Sequence, residues 1–189
     1  MKTNTASRDL DWTIDPIHTT VGFGVRHLMI TNVHGVFERV TGSVHYDPAA
    51  PEATEIHVEI QAASVNTRDA QRDAHLRSAD FFDAQRFPVI TFRSKRVVST
   101  GEAALAVTGE LTMHGVTREV VLNVSNVARV ESDFQGQPRL GASATAVVLR
   151  SDFDMRFNKV LDKGGVALAD EVQLSFDVSL QKSAVSRAA

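Results

Sequence analysis

The sequence predicts an all-β protein, an antiparallel β-barrel of about eight strands. Three observations indicate this fold: apolar and polar residues alternate with a period of two over much of the chain, Gly, Pro, Asn and Asp separate the alternating segments, and one main stretch departs from the pattern. Eight antiparallel strands usually close into a barrel because closure removes the exposed sheet edges. The interior of such a barrel is wide enough to hold one small ligand.

The first strand is expected near Trp12, and the alternation then recurs up to Leu180. A strand is expected within residues 36–46, and residues 142–148 form a strand of mainly small residues. In the remaining segments the residues of one parity are apolar and are expected to face the core: Val21, Phe23 and Val25; Ile56, Val58 and Ile60; Ile90 and Phe92; Leu105, Val107 and Leu111; Val120, Leu122 and Val124; and Val172, Leu174, Phe176, Val178 and Leu180.

The stretch that breaks the alternation predicts one short helical segment, about 67–84, covering one end of the barrel. It is rich in Ala, Arg, Asp and Gln, and Asn66 or Thr67 can cap its start while Pro88 stops it. Ala70, Ala74 and Leu76 are expected to face inward. Asp69 with Arg72, and Asp73 with Arg77, are expected to form ion pairs on the solvated side. Phe81 and Phe82 follow and are expected to narrow the entrance of the barrel.

Length and composition indicate one domain over residues 11–182, with flexible termini at 1–10 and 183–189. The net charge of -3, without a basic stripe, argues against nucleic-acid binding. The absence of cysteine excludes disulfides and thiolate sites. No stretch has the roughly 20 apolar residues of a transmembrane helix, and the first residues lack a secretory signal, so a cytoplasmic location is expected. The oligomeric state, including a homodimer, stays open.

The polar residues predict neither a metal site nor an enzyme. The seven histidines show no metal-ligand spacing, although His27 shares the inward parity of Val25 and could bind a lipid head group or haem. Arg72 and Asp73 are the candidates for an alternative activity as a small hydrolase. Because neighbours on a helix point about 100° apart, these two side chains do not converge on one reacting atom. No catalytic residue, cofactor or metal is therefore predicted.

Phenylalanine supplies ten of the twelve aromatic residues, with one Trp and one Tyr. So many purely apolar rings indicate a dry interior. A packed β core and a lipid-binding cavity account for them equally well, so composition leaves both readings open.

Several motifs in the same order resemble the YceI-like family over about residues 12–181. They read Trp12-Thr13-Ile14-Asp15, Phe23-Gly24-Val25-Arg26-His27, Gln71-Arg72-Asp73-Ala74-His75-Leu76, Phe87-Pro88-Val89-Ile90-Thr91-Phe92 and Gly109-Glu110-Leu111-Thr112-Met113-His114-Gly115. The resemblance implies a lipocalin-like barrel that binds polyisoprenoids and related amphiphiles. The segment 149–154 departs from the family pattern, in which Arg-x-Asp-Phe is followed by Gly where this chain has Asp154.

The resemblance favours a lipid cavity over a filled core, and strand parity then selects its lining. The predicted lining residues are Phe23, Val25, Val58, Ile60, Ile90, Phe92, Leu111 and Phe176, with Phe81 and Phe82 at the entrance. The candidates for head-group binding are His18, His27, Arg72 and His114. The expected partner is a long-chain isoprenoid or other amphiphilic lipid, bound, stored or transported without catalysis. The alternatives are a haem-binding barrel using His27 or His114 and the hydrolase.

Overall fold

The protein forms a closed antiparallel β-barrel with one short helix at one end. The computed structural model describes residues 10–160 and 166–183, and within these ranges the chain forms eleven strand segments and one α-helix. The strands are β1 (Asp11–Ile14), β2 (Thr20–His27), β3 (Thr31–Phe37), β4 (Val40–His45), β5 (Glu55–Gln61), β6 (Val65–Asn66), β7 (Val89–Gly101), β8 (Ala104–Met113), β9 (Val116–Val130), β10 (Arg139–Leu149) and β11 (Leu168–Lys182), and the helix is α1 (Ala70–Arg77).

The eleven segments of the described chain combine into eight strands, which confirms the predicted fold class. β1 with β2, β3 with β4, and β5 with β6 each form one bent strand. The last strand closes the barrel because β11 pairs with β10 on one side and with both β2 and β1 on the other. In this closing seam Phe176 lies opposite Val21, and Leu180 lies opposite Ile14.

The predicted inward parity agrees with the burial along most strands, and a bulge in β7 changes it once. Phe92 and Val97 are both buried although they differ in parity. The register between β7 and β8 shifts between Ser94 and Arg96 because β7 has one extra residue there. After this bulge the odd-numbered side chains of β7 face the interior instead of the even-numbered ones. A bulge depends on pairing with another strand and is therefore invisible to local alternation.

The helix is shorter than the predicted segment 67–84. It begins after Asp69, whose carboxylate accepts the backbone N–H of Arg72 at 2.8 Å, and it ends before Ser78, which has extended backbone. Arg68 has φ of +65°, so the residues before the cap leave helical geometry. The residues between α1 and β7 form turns.

The predicted ion pairs of the helix and the inward direction of Ala70 and Ala74 were wrong, whereas Leu76 is half-buried and packs against the core as predicted. Ala70 and Ala74 are exposed, and the buried residue of α1 is Asp73. Its carboxylate accepts hydrogen bonds from the backbone N–H of Thr67 at 2.8 Å and from the Thr67 hydroxyl at 2.6 Å. Arg77 donates to backbone carbonyls of the neighbouring chain segment 62–66. The spacing of Asp73 and Arg77 along the helix predicted an ion pair between them. In the structure both side chains instead bind backbone groups that precede the helix and that have to be paired when they are buried.

The termini predicted to be flexible, 1–10 and 183–189, lie outside the described residues except for Leu10 and Ser183.

Candidate functional site

The barrel interior contains two apolar compartments in series along its axis. The inner compartment has a volume of about 150 Å³, and the outer compartment, at the end that carries α1, has a volume of about 350 Å³. Leu174 borders both. On β2, Val21 borders the inner compartment and Phe23 the outer one, while on β8 Leu111 and Met113 divide in the same way. Two inward-facing residues that are neighbours on one face of a strand can therefore border different compartments.

Apolar side chains form nearly the whole wall of the inner compartment. Thr19, Thr54 and Tyr46 are its polar lining residues among those described. Five of the residues predicted to line a cavity border it: Val58, Ile60, Phe92, Leu111 and Phe176. Ile90 shares their inward parity and is 4% exposed, but it borders neither compartment.

The outer compartment combines aromatic walls with a basic border. Four of the residues predicted to line a cavity or its entrance border it: Phe23, Val25, Phe81 and Phe82. Among its described lining residues none is acidic, and five can carry positive charge: His27, Arg72, His75, Arg150 and Lys159. The side chains that can carry positive charge therefore border the outer compartment and not the inner one.

The turns that follow α1 build the aromatic wall. The ring of Phe81 lies 5.0 Å from His75 and 5.4 Å from Phe157, measured between centroids. Phe82 meets Phe37 edge-on at 5.4 Å, and Phe37 lies 5.7 Å from Phe23. Edge-to-face and tilted rings at these distances attract one another beyond their shared burial. Both Phe81 and Phe82 are buried, so the two rings belong to the wall of the site.

Arg72 and Asp73, the candidates for a hydrolase, are both occupied by Thr67. The Arg72 guanidinium donates to the Thr67 hydroxyl at 2.8 Å and to the Thr67 carbonyl at 2.7 Å, and Asp73 accepts from the same residue. These bonds join α1 to β6. The Arg72 guanidinium thereby lies at the border of the outer compartment. The Asp73 carboxylate is buried and is held by the backbone N–H and the hydroxyl of Thr67.

Arg150 is a site residue that the sequence analysis missed. It is 8% exposed, and its guanidinium donates to the carbonyls of Met155, Phe157 and Ala169 at 2.7 to 3.0 Å. Burial lowers the pKa of Arg150, and Asp170 opposes this effect. The guanidinium thereby holds residues 155–157 against the outer compartment. The sequence signal was a basic residue at the end of the small-residue strand, in the segment 149–154 that departs from the family pattern.

The three histidines proposed for a head group lie in different places. His27 ends β2 and borders the outer compartment. His18 is exposed and pairs with Asp15 at 2.8 Å, near the other end of the barrel. His114 lies in the β8–β9 turn with φ of +53°, and its Nδ1 lies 2.9 Å from the Phe153 carbonyl oxygen. Neither His18 nor His114 lines a compartment.

Neither a metal cluster nor a membrane-spanning helix is found in the described ranges 10–160 and 166–183. There, no group of three or more His, Asp or Glu side chains is placed to hold a metal ion. Likewise, no helix in these ranges is both long and apolar enough to cross a bilayer.

A third space, a surface groove of about 870 Å³, lies beside the 51–53 turn. Its lining includes Asp11, Glu55, His57 and Arg93. A lining of mixed charges keeps water and suits an apolar chain poorly, so this groove is a weaker candidate site for an amphiphile than the barrel interior.

The family of the chain follows from its match to a family model. The model of the YceI-like domain matches residues 12–180, which includes all eight strands and both compartments. The chain belongs to the YceI-like family. The family resemblance predicted from the sequence motifs is therefore confirmed.

Relatives and solved structures extend this finding. A UPF0312 protein of Pseudomonas savastanoi is 37% identical over 139 residues, which cover 74% of this chain and 72% of that protein. The crystal structure of Burkholderia cenocepacia BcnA matches with a TM-score of 0.77 at 25% identity, over 88% of this chain and 98% of that one. A polyisoprenoid-binding domain from Saccharophagus degradans shares the fold, with a TM-score of 0.65 at 15% identity, over 91% and 98% of the two chains.

Proposed function

We propose that this YceI-like protein binds one long-chain isoprenoid-type lipid, or a similar amphiphile, inside the barrel for storage or transport and catalyses no reaction on it. The polarity of the cavity carries this proposal. The inner compartment is bordered almost wholly by apolar side chains, whereas basic residues border the outer one. An amphiphile has the same division between chain and head group, so it fits this cavity in one orientation.

The volumes indicate the length of chain that fits while the side chains keep their positions. A dry apolar cavity of about 150 Å³ accepts one benzene molecule, which has six carbon atoms. By that measure the compartments of about 150 and 350 Å³ hold about twenty carbon atoms together. This length corresponds to about four isoprene units. Each buried CH₂ contributes about 0.8 kcal/mol, so such a chain supplies ample binding energy before ordering costs.

The head group is proposed to lie in the outer compartment beside His27 and Arg72. Apolar walls discriminate between similar chains by only about 1 to 3 kcal/mol per methylene, so selectivity depends on the polar border. The polyisoprenoid-binding domain from Saccharophagus degradans supports a lipid in this fold. The family also supports binding in preference to catalysis, as does the engagement of Arg72 and Asp73 by Thr67.

Filling the inner compartment tests the proposal. Ala144 is buried and borders this compartment, whereas Thr145, the next residue of β10, is exposed on the outside. Ala144→Phe should shorten or abolish the bound chain, and Thr145→Phe should leave it unchanged. The measurement is mass spectrometry of an organic extract, quantified per chain, together with titration of prenyl alcohols of increasing length.

Thermal unfolding separates a blocked cavity from a damaged fold. Overpacking costs about 1 to 3 kcal/mol, so Ala144→Phe is expected to remain folded. A folded Ala144→Phe protein that carries the wild-type lipid, or a wild-type protein that binds no prenyl chain, would contradict the proposal.

A further inference from the structure

The turn between β2 and β3 exposes three consecutive large apolar side chains. Leu28, Met29 and Ile30 are 37%, 47% and 75% exposed. The backbone N–H of Ile30 donates to the His27 carbonyl at 3.1 Å, which closes a β-turn with Leu28 and Met29 at its centre, within the three-residue loop between the paired residues His27 and Thr31. None of the three side chains lines the cavity, so lipid binding inside the barrel does not explain them.

The backbone of this turn disfavours the residues it carries. Leu28 has φ of +50° and Met29 has φ of +59°, both in the left-handed region. β-turns in which both central residues have positive φ favour Asn-Gly or Asp-Gly, and bulky side chains are uncommon there. The turn therefore keeps two large apolar residues at a conformational cost that Asn-Gly would avoid. Strain of this sort is a pointer to function.

The turn lies beside the outer compartment. His27, directly before the turn, and Val33, the third residue of β3, both line that compartment. The backbone N–H of Leu28 donates at 2.8 Å to the carbonyl of Ala167, another lining residue. Next to Ala167, Val166 is also exposed. We call Leu28, Met29, Ile30 and Val166 the apolar rim.

Basic side chains accompany the apolar rim. Arg26 is exposed two residues before the turn, and Lys159 is exposed on the border of the outer compartment. Neither forms an ion pair with any residue that the structure describes. Because the whole chain carries a net charge of -3, this positive charge is a local property of the open end.

We propose that the apolar rim is a membrane-docking surface for a bilayer with anionic head groups. Exposed apolar side chains bury themselves at the interface between head groups and acyl chains, while nearby Lys and Arg side chains are attracted to anionic lipids. Docking in this way turns the outer compartment towards the bilayer, where a lipid can enter or leave. Lipid exchange rests on the proposed function, whereas adsorption to the bilayer does not.

The test is flotation of the full chain with vesicles of phosphatidylcholine, with and without phosphatidylglycerol. The double variant L28N/M29G introduces the turn sequence that this backbone favours, so it should keep or raise the thermal midpoint while removing the apolar tip. It should lower binding to anionic vesicles by about tenfold or more. The variant R26Q/K159Q should also lower it, with most of the loss at low salt.

A matched control removes an exposed ring at the other end of the molecule. Phe134 is fully exposed in the loop before β10, and Phe134→Ser should leave flotation unchanged. Equal loss in Phe134→Ser, full binding by L28N/M29G, or no flotation of the wild type would overturn the proposal. If the rim variants instead convert a dimer into a monomer in light scattering, the rim is a self-association surface and the proposal is wrong.

The experiment can contradict lipid binding and membrane docking independently of each other. The L28N/M29G protein should still carry lipid, as measured by extraction, because its altered residues lie outside the cavity. A wild type that floats but never carries lipid would contradict the lipid-binding function and leave membrane docking standing.

Discussion

Two glycines make room for aromatic rings that border the cavity. A β-carbon at Gly35 would overlap the ring of Phe23 and lie 2.8 Å from Cγ2 of Thr67. A β-carbon at Gly109 would overlap the ring of Phe92 in the same way. Glycine inside a strand often marks such a close approach, and here it decides how far each ring reaches into the interior.

Gly35→Ala should reduce the capacity of the outer compartment. The added methyl group displaces the Phe23 ring, and the free space for that ring lies on the cavity side. Alanine also favours strand backbone over glycine by about 0.5 to 1 kcal/mol, which offsets part of the strain. Weaker binding of a fluorescent long-chain amphiphile is therefore expected, with a small change in thermal midpoint.

Gly101→Ala is the control, because its β-carbon would make only an ordinary 3.6 Å contact with Ala104 Cβ. Wild-type affinity in a folded Gly35→Ala protein would show that the Phe23 ring does not limit the site.

At the scale of the element, α1 is held to the barrel mainly through Thr67. Asp73 accepts both the backbone N–H and the hydroxyl of Thr67, and Arg72 donates back to the same residue. The turns that carry Phe81 and Phe82 follow directly. A short helix with few apolar contacts depends on such polar anchors for its position.

Asp73→Ala should loosen this cover of the outer compartment. It leaves the buried donors of Thr67 without a partner, at a cost of about 1 to 3 kcal/mol. Hydrogen exchange should become faster over residues 70–87, and bound lipid should dissociate faster, while the strands stay protected.

Asp69→Ala serves as the comparison because it removes the exposed helix cap, worth about 1 kcal/mol, and leaves the bonds to Thr67 in place. If both variants release lipid at the wild-type rate, the helix does not control the entrance.

At the scale of the whole molecule, the two ends of the barrel are held together differently. The end with α1 has the aromatic wall, whereas the far end has an ionic cluster around Arg139. This guanidinium contacts Asp15 at 2.8 Å and Asp133 at 2.8 Å. A hydrogen bond from His18 is the main reason for the lowered pKa of Asp15, and burial opposes it.

Acid should weaken the far end first. Backbone N–H groups of Gln137 and Gln135, together with Arg139, donate to Asp133 and lower its pKa from 3.8 to about 2. Because the folded pKa is lower than the unfolded one, the carboxylate stabilises the fold above about pH 4, and this contribution disappears as the pH falls towards about 2. Asp133→Asn should therefore lower the thermal midpoint at neutral pH and flatten its fall in acid.

The matched substitution is Glu131→Gln, which removes an exposed carboxylate that pairs with Arg129 at 3.0 Å. If the thermal midpoint of Asp133→Asn falls with decreasing pH in parallel with that of the wild type, Asp133 does not cause the acid sensitivity.

The sequence by itself determined the barrel and the direction of most of its side chains. Alternation is a local property of an extended chain, so Phe23, Val25 and His27 could be assigned to the inside from β2 alone. The phenylalanine count left a packed core and a lipid cavity equally open, and the family motifs then favoured the cavity. Both steps used residues close together in the chain.

Only the tertiary structure decided which inward side chains border empty space. Ile90 and Phe92 share strand and parity and both pack in the core, yet only Phe92 borders the inner compartment. Parity selects a face, but the distance across the barrel depends on tilt and register, which arise from pairing between distant strands. The buried positions of Asp73 and Arg150 depend on backbone groups outside their own helical turns, at Thr67 for Asp73 and at Ala169 for Arg150. Long-range pairing therefore sets the size and polarity of the site, because it brings together groups that no local pattern relates.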